Sequence, residues 1–276
     1  VDPADNSLYL TWTEFDLYGS DSPDDRSRIL FSKSIDQGTS WSFPFVLSEK
    51  EGNCLDDDQT TEGAVPCVGP AGQIYVSWSY DKKIYFDKSY DKGESWMDND
   101  IIIAEQPGGW AYSIPGLMRC NGMPITRADR SNSDYRGNIY VNWTDQRNGS
   151  NDTDVWIARS SDEGESWSEA VRVNTDALDR HQFLTWMDVD QTTGYIYIVF
   201  YDRRHHKDNK TDVYLAYSTD GGNTFSNIKI NEKSFEPSET IFFGDYNDIS
   251  VYEGRVRPIW TQLDNGQLSI WTALIN

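Results

Sequence analysis

The sequence has 276 residues, of which 37% are hydrophobic and 14% aromatic, enough apolar material for one large repetitive domain. Its formal net charge of −21 excludes a role on phosphate backbones or anionic membrane surfaces, because the chain as a whole repels both. No apolar run approaches the roughly 18 residues that a membrane-spanning helix needs. We therefore expect no nucleic-acid partner and no membrane insertion.

One turn motif, Ser-x-Asp-x-Gly-x-x-Trp/Phe, recurs four times along the chain. Its Asp residues lie 55, 71 and 58 positions apart, a spacing typical of a four-stranded sheet with its loops. The Asp carboxylate accepts backbone hydrogen bonds in a tight turn, and the Gly takes a conformation that side chains disfavour. The closing aromatic residue folds back over the hairpin. We interpret the four Asp residues as structural: they are Asp36, Asp91, Asp162 and Asp220.

Strands of alternating apolar and polar residues surround each motif and predict five units of one kind. First strands are predicted at 63–69, 123–127, 183–190 and 241–251, with 1–4 as the remnant in the first unit. Second strands are predicted at 6–12, 72–78, 137–143, 194–200 and 254–260. Third strands are predicted at 28–32, 83–88, 154–159, 212–217 and 267–274.

The five units span about 1–48, 63–105, 123–174, 183–231 and 241–276, and together they form a single domain over residues 1–276. The first unit retains only a remnant of its first strand, and the fifth ends before its fourth. Because unpaired sheet edges are avoided in natural proteins, we expect this domain to be the C-terminal part of a longer chain. Among the three cysteines, either Cys54 and Cys67 form a disulfide or all are buried thiols.

Charged loops gather at the end of the units opposite the repeated turns, and that end is where a site is expected. Two of these loops align residue by residue, so that Asp145 and Arg147 of one unit are equivalent in position to Asp202 and Arg204 of another. Either each pair ties its own loop together, or the arginines form a clamp for a carboxylate or sulfate. The acidic run 56–58 is either a calcium site or a solvated loop.

The four turn motifs resemble the Asp-box, or bacterial neuraminidase repeat, of sialidases and related β-propellers. The segments 63–70, 182–190, 200–204 and 242–246 are also similar to secreted bacterial sialidase-like proteins, so the resemblance covers nearly the whole chain. It implies an all-β propeller of the sialidase type with about six blades in the intact protein, five of them recognisable here. In that family the box lies far from the active site, which implies no catalytic role for its Asp residues.

Catalytic sialidases hold the substrate carboxylate with arginines and use a Tyr–Glu nucleophile pair with an Asp acid or base. The resemblance therefore implies a nucleophile pair of Tyr246 and Glu62, with Asp58 or Asp245 as the proton carrier. For substrate binding, the predicted anion-binding residues are Arg119, Arg147 and Arg204, and the predicted ring for stacking on a sugar is Trp110.

Two functions follow. The first is an exo-acting glycoside hydrolase on acidic, sialic-acid-type glycans. The second is a non-catalytic propeller that binds glycan or protein, which the absence of the family's Arg-Ile-Pro signature favours. For both we expect a secreted or cell-surface location and a glycan or glycoprotein as the partner, with other cell-surface proteins as further partners. No cofactor is expected unless the acidic run binds calcium.

Overall fold

The fold was analysed in a computed structural model, which describes residues 1–177 and 179–276. Across these residues the chain forms twenty β-strands and no helix. Among the described residues, no helix is long and apolar enough to cross a membrane. The prediction of an all-β fold is confirmed.

The strands form five sheets of three or four strands and one two-stranded ribbon, and all pairs are antiparallel. The first sheet contains β1 (Leu8–Phe15), β2 (Ser27–Ser34) and β3 (Phe45–Val46). The second contains β4 (Glu62–Val68), β5 (Ile74–Tyr80), β6 (Lys83–Ser89) and β7 (Ile101–Glu105). The ribbon pairs β8 (Ala111–Tyr112) with β9 (Cys120–Asn121).

The remaining sheets follow the same sequential order. The third contains β10 (Ile125–Ala128), β11 (Ile139–Asp145), β12 (Asp154–Ser160) and β13 (Val171–Arg172). The fourth contains β14 (Gln182–Val189), β15 (Ile196–Asp202), β16 (Asp212–Ser218) and β17 (Ser226–Lys229). The fifth contains β18 (Asp248–Tyr252), β19 (Arg255–Asp264) and β20 (Gln267–Thr272).

The predicted second and third strands are confirmed in all five units, with ends that differ by a few residues. Two predicted first strands differ from the structure. No strand forms over residues 1–4; residues 3–5 form a turn, in which the Asp2 carboxylate accepts a 2.8 Å hydrogen bond from the Ala4 backbone. The strand predicted at 241–251 begins only at Asp248, and the segment before it is a loop. The β8–β9 ribbon was not predicted.

Apolar cores fill the space between each pair of successive sheets. Ile29 and Phe31 of the first sheet pack with Ile74 and Trp78 of the second, and similar clusters join the second to the third, the third to the fourth and the fourth to the fifth. The middle strands β5 and β11 are buried along almost their whole length, since both faces of their sheets are covered. Cys54, Cys67 and Cys120 are free thiols, so the disulfide alternative is not observed.

The repeated turns join the last two strands of each of the first four sheets. In the first of them, Asp36 accepts hydrogen bonds from the Ser40 backbone at 2.8 Å and the Ser40 hydroxyl at 2.6 Å. Ser34 in turn holds the Gly38 amide at 2.8 Å. The hydrogen bonds that Asp36 accepts, above all the one from the Ser40 hydroxyl, hold the pKa of Asp36 at about 2. The same arrangement recurs at Asp91, Asp162 and Asp220.

The second and third repeated turns also fasten their sheets to the preceding ones, a contact that the sequence pattern did not indicate. The closing ring of one turn, Trp96, packs edge-on against Phe31 at 4.9 Å between centroids, and Trp167 packs on Phe86 at 5.1 Å. The basic residue just before the turn serine donates to the next turn: Lys88 lies 2.6 Å from the Glu165 carboxylate. The turns therefore stabilise the stacking of sheets, at the end remote from the charged loops.

Candidate functional site

Two adjoining cavities lie where the innermost strands of the sheets meet the charged loops. The first, of about 350 Å³, is the axial chamber; the second, of about 380 Å³, is the loop chamber. The axial chamber is lined by residues of β1, β4, β10 and β14 and their ends, including Thr11, Trp12, Thr13, Val65, Ile125, Thr185 and Trp186. The loop chamber is lined by connecting segments, including Tyr18, Asp56, Trp110, Met118 and Arg119. Both are lined by Glu62, Asn121, Met123, Asp245 and Tyr246.

Matching β-bulges aim side chains into the axial chamber. The register of β4 shifts directly after Glu62, and that of β14 shifts directly before Trp186. The bulged residues Gly63 and Leu184 have φ of 82° and 49°, and the left-handed backbone is unfavourable for a leucine. Strain of this kind is concentrated at functional sites, and bulges re-aim side chains there. The bulges therefore mark this cavity independently of its charges.

Glu62 lies half-buried at the junction of the two chambers. Its Oε2 accepts hydrogen bonds from the Thr13 hydroxyl at 2.9 Å and the Gly63 amide at 3.2 Å. Among the described residues, nothing donates to its Oε1. Burial raises the pKa of Glu62 to about 7, and the Asp56 charge adds to the rise while the Thr13 bond opposes it. At neutral pH such a carboxylate is a stronger base than an exposed glutamate.

Tyr246 reaches the same junction from the loop before β18. The residue is 58% exposed overall, and its ring packs edge-on against Trp186 with centroids 6.1 Å apart. Its hydroxyl end lies deeper, 3.9 Å from the Met123 sulfur. Desolvation there raises the pKa of Tyr246, and the Glu62 and Asp245 charges raise it further. A protonated phenol attacks only if a base removes its proton, and Glu62 is a carboxyl of raised pKa that lines the same two chambers.

Arg119 forms the outer wall of the loop chamber and already binds a carboxylate. Its Nε donates to Asp245 Oδ1 at 2.7 Å, and its Nη2 donates to the other oxygen of the same carboxylate. Its Nη1 lies 3.8 Å from the Asp56 carboxylate, and Phe242 lies under the guanidinium at 4.9 Å. This two-pronged geometry is the one by which arginine recognises carboxylates and sulfates. A carboxylate of the protein itself, that of Asp245, therefore occupies this edge of the guanidinium.

Arg147 and Arg204 lie elsewhere, each paired inside its own loop. The Arg147 guanidinium lies 2.6 Å from the buried Asp145 carboxylate, and Arg204 lies 2.7 Å from buried Asp202. Each guanidinium also covers an aromatic ring at 4.1 Å. Neither residue lines the axial or the loop chamber. The geometry supports the loop-tying interpretation, and of the three predicted anion-binding arginines only Arg119 reaches the cavity.

Asp58 and Trp110 are held by the fold close to the loop chamber. Asp58 was predicted as a proton carrier, but its carboxylate accepts a 3.0 Å hydrogen bond from the Ala111 backbone and lines neither chamber. Trp110 is only 4% exposed, and its Nε1 donates to the Thr60 carbonyl at 3.3 Å. It lines the loop chamber but presents little surface on which a sugar can stack. Asp245 is the predicted proton carrier that reaches the cavity.

The acidic run 56–58 spreads its carboxylates over separate partners. Asp56 accepts from the Tyr18 hydroxyl at 2.7 Å, and Asp57 accepts from the Gln59 amide at 2.8 Å. Within residues 1–177 and 179–276, no group of three or more His, Cys, Asp or Glu side chains is placed to hold a metal ion. Calcium binding stays a prediction without support from this geometry.

Sequence reasoning missed most residues of the axial chamber, among them Trp12, Thr13, Asn121 and Thr185. Trp12 was placed at the end of a predicted strand, and the sequence pattern alone did not show that it lines a cavity. The sequence carries one signal for this cavity. At the starts of β4 and β14 the alternation of apolar and polar residues is broken, which is where the two bulges lie. That signal becomes readable only when the two bulges are seen side by side.

The sequence matches no family profile and no curated protein. It is similar in structure to a Dyadobacter fermentans protein of unknown function, with a TM-score of 0.56, 17% identity, and coverage of 98% of this chain and 76% of that one. The Hadza microbial sialidase Hz136 matches with a TM-score of 0.53, 16% identity and coverage of 90% and 52%. A PL25 ulvan lyase matches with a TM-score of 0.53, 14% identity and coverage of 99% and 62%.

The chain thus spans 52% and 62% of the chains of the two enzymes that it matches. At identities of 14–17%, these likenesses concern the fold. Together with the five antiparallel sheets, which pack on one another in chain order, they show that the chain has the β-propeller fold of the sialidase type.

Proposed function

We propose that this chain is a glycoside hydrolase that cleaves an acidic glycan in the central cavity, with Tyr246 as nucleophile and Glu62 as its base. One observation carries the proposal: two residues from opposite ends of the chain, one with a raised carboxyl pKa, line both chambers together. A tyrosine nucleophile also avoids bringing a carboxylate against an anionic sugar.

In the proposed reaction, Tyr246 Oη forms a bond to the anomeric carbon while the glycosidic C–O bond breaks. The phenolic proton passes to Glu62, and the leaving oxygen takes up a proton from Asp245. Water then attacks the same carbon and gives its proton to the Asp245 carboxylate, while Glu62 returns its proton to the departing phenolate, so that the phenol and both carboxyl groups regain their starting states. Asp245 becomes available for proton transfer when an acidic substrate group replaces it on Arg119.

The test uses a panel of fluorogenic acidic glycosides and follows release of the fluorophore. Tyr246→Phe should lower the rate by at least about 100-fold, within the range for loss of a group that takes part in proton transfer and attack. The matched control is Tyr252→Phe, since Tyr252 is also an exposed tyrosine, at the end of β18, but lines neither chamber. Equal rates for both variants would contradict the assignment of Tyr246.

A second candidate is a non-catalytic glycan-binding propeller. The observation that favours it is the pairing of Arg119, Arg147 and Arg204 with carboxylates of the protein itself. In that case the native protein would bind glycans without releasing product, and Glu62→Gln would leave its binding unchanged.

A secreted or cell-surface location and a glycan or glycoprotein partner are part of this proposal. The acidic surface supports them only by disfavouring nucleic acid and anionic lipid. Fractionation of cells that carry the native gene, with detection of the protein in medium, surface and cytosol, tests the location directly.

A further inference from the structure

Two threonines of β1 bind the bulge of the neighbouring strand β4. Thr11 and Thr13 are two residues apart and therefore point to the same side of their strand. The buried Thr11 hydroxyl donates to the Ala64 carbonyl inside the bulge at 2.9 Å. The Thr13 hydroxyl lies 2.9 Å from Glu62 Oε2 and 3.1 Å from the Thr61 carbonyl, which directly precedes β4. Within the described chain, Thr13 thus meets two acceptors where Thr11 meets one.

The Thr61 carbonyl is fixed in place by its surroundings. Thr61 is fully buried, and its amide donates to the Ser27 hydroxyl at 3.1 Å. Ser27, also fully buried, exchanges two backbone hydrogen bonds with Gly52, of 3.0 and 2.9 Å. The backbone that precedes Glu62 is therefore held, and the group that can turn at this point is the Thr13 hydroxyl, whose proton rotates about the C–O bond.

The Thr13 hydroxyl carries one proton, so it donates to one of its two acceptors at a time. A hydrogen bond to an ionised group is roughly twice as strong as one between neutral groups. The hydroxyl therefore donates to Glu62 when this carboxyl is charged. When the carboxyl takes up a proton, that advantage is lost, and the Thr61 carbonyl becomes the better acceptor, as the Ala64 carbonyl is for Thr11.

The Thr13 bond acts on the charged form of Glu62 and opposes the effect of burial. Burial raises the pKa of Glu62 to about 7, and the Thr13 bond is the largest contribution in the opposite direction. The Asp56 charge raises this pKa further, and the Arg119 charge lowers it. Thr13 and the Gly63 amide both bind Oε2, whereas nothing among the described residues donates to Oε1. The carboxylate is thereby held with one oxygen fixed and the other available to a proton.

We propose that Thr13 is a positioning residue for Glu62: its hydroxyl binds Oε2 of the charged carboxylate and turns to the Thr61 carbonyl when the carboxyl is protonated. Thr13 thereby keeps a larger share of Glu62 ionised at neutral pH. It also leaves Oε1 as the atom that receives the Tyr246 proton and later returns it, while the Thr13 proton stays on its own oxygen. The part that concerns the Tyr246 proton rests on the proposed function; the response of the hydroxyl to the charge of Glu62 does not.

The coupling between Thr13 and the charge of Glu62 can be measured without turnover. Urea unfolding at pH 5 and pH 9 compares the native protein with Thr13→Val, which removes the hydroxyl and keeps the branched shape. Ionisation of Glu62 destabilises the fold as pH rises from 4.5 to the folded pKa, and loss of the Thr13 bond extends that destabilisation to higher pH. Thr13→Val should therefore raise the unfolding equilibrium constant roughly tenfold more at pH 9 than at pH 5, which corresponds to a pKa shift of about one unit.

Two controls separate this coupling from a packing defect. In a Glu62→Gln background, the effect of Thr13→Val should be equal at both pH values. Thr11→Val, which removes a hydroxyl from the same face but breaks a bond to the backbone, should also have equal effects at both. If Thr13→Val does not fold, Thr13→Ala takes its place, since alanine also lacks the hydroxyl. The other ionisable groups of the chambers are present in both backgrounds and cancel: Tyr18, Asp56, Tyr112, Cys120, Asp245 and Tyr246.

The proposed catalysis supplies a second measurement, the pH profile of fluorophore release. The rate should fall as Glu62 becomes protonated, and Thr13→Val should move the midpoint of this fall upward by about one pH unit. The loss is then about tenfold at pH values below both midpoints and disappears above them. Thr13→Ser, which keeps the hydroxyl, should restore the native midpoint, and Thr11→Val should retain it. Glu62→Gln should lower the rate at every pH.

The outcomes separate this inference from the hydrolase proposal. Equal effects of Thr13→Val at pH 5 and pH 9, or a pH dependence that persists in the Glu62→Gln background, would overturn the inference, even where cleavage that depends on Tyr246 is observed. A pH dependence that Glu62→Gln abolishes, in a protein that releases no product, would leave the Thr13 assignment in place and remove the hydrolase proposal.

Discussion

Replacement of Arg204 by Ala should lower the free energy of unfolding by about 3–5 kcal/mol, the range for a buried ion pair that loses one partner. The Asp202 side chain is fully buried, and Arg204 holds it with its Nε at 2.8 Å and its Nη2 at 2.7 Å. The same Nη2 donates to Asn227 at 2.8 Å. Without the guanidinium, the Asp202 carboxylate stays buried with no compensating charge, so the free-energy cost of its desolvation lowers the stability of the fold.

The loss should depend on pH in a defined direction. Burial raises the pKa of Asp202, and Arg204 opposes that rise, so the variant has a still higher folded pKa. A carboxyl with a raised folded pKa destabilises the fold as pH rises above its unfolded value of about 3.9. The difference between variant and native protein should therefore be smaller at pH 5 than at pH 8.

Urea unfolding at both pH values measures the difference, and a thermal scan should show a fall in Tm of about 10 °C, at roughly 2–4 °C per kcal/mol for a domain of this size. The double variant Asp202→Asn/Arg204→Ala should regain part of the loss, because it removes the unpaired charge. Arg119→Ala is the surface control, with an arginine 51% exposed, and should lose less than about 1 kcal/mol. Equal losses for Arg204→Ala and Arg119→Ala would refute the reasoning.

Three further predictions concern single residues. Gly164→Ala should lower Tm more than Gly137→Ala. Both glycines have positive φ, of 86° and 94°, but only at Gly164 would the added Cβ meet a neighbour, 2.5 Å from the Phe86 ring. Equal Tm values for the two variants would argue against this contact. The stability of Glu62→Gln relative to the native protein should be greater at pH 8 than at pH 5. The reason is that ionisation of Glu62 destabilises the native fold as pH rises from its ordinary pKa of 4.5 to about 7. An equal difference in the free energy of unfolding at both pH values would contradict this. On acidification, Asp162→Asn should lose less stability than the native protein. Hydrogen bonds hold the pKa of Asp162 at about 2 in the native protein, and the stability that they give the ionised carboxylate disappears as pH falls below 3.8. Identical acid transitions of the two proteins, followed by tryptophan fluorescence, would exclude this prediction.

Much of the site's content, but little of its geometry, was predictable from sequence. The resemblance to sialidases, together with residue type and position on the loop face, predicts Tyr246, Glu62, Asp245 and Arg119 as candidates, and the structure brings them together. Asp58 satisfied the same criteria, yet its carboxylate is held by the backbone. Residue type and loop position do not tell whether a charged side chain faces a cavity or a neighbouring amide.

The sequence alone determined the all-β architecture, because a turn motif and strand alternation depend on a few neighbouring residues whose local geometry each unit repeats. The assignment of Asp36 and its equivalents to turns follows from the same local chemistry. Only the tertiary structure decided which charges meet. Arg204 pairs with Asp202 two residues away, whereas Arg119 reaches Asp245 across the fold. That second contact depends on how the sheets stack around the axis and on bulges that re-aim whole strand ends, and neither is written in any short stretch of chain.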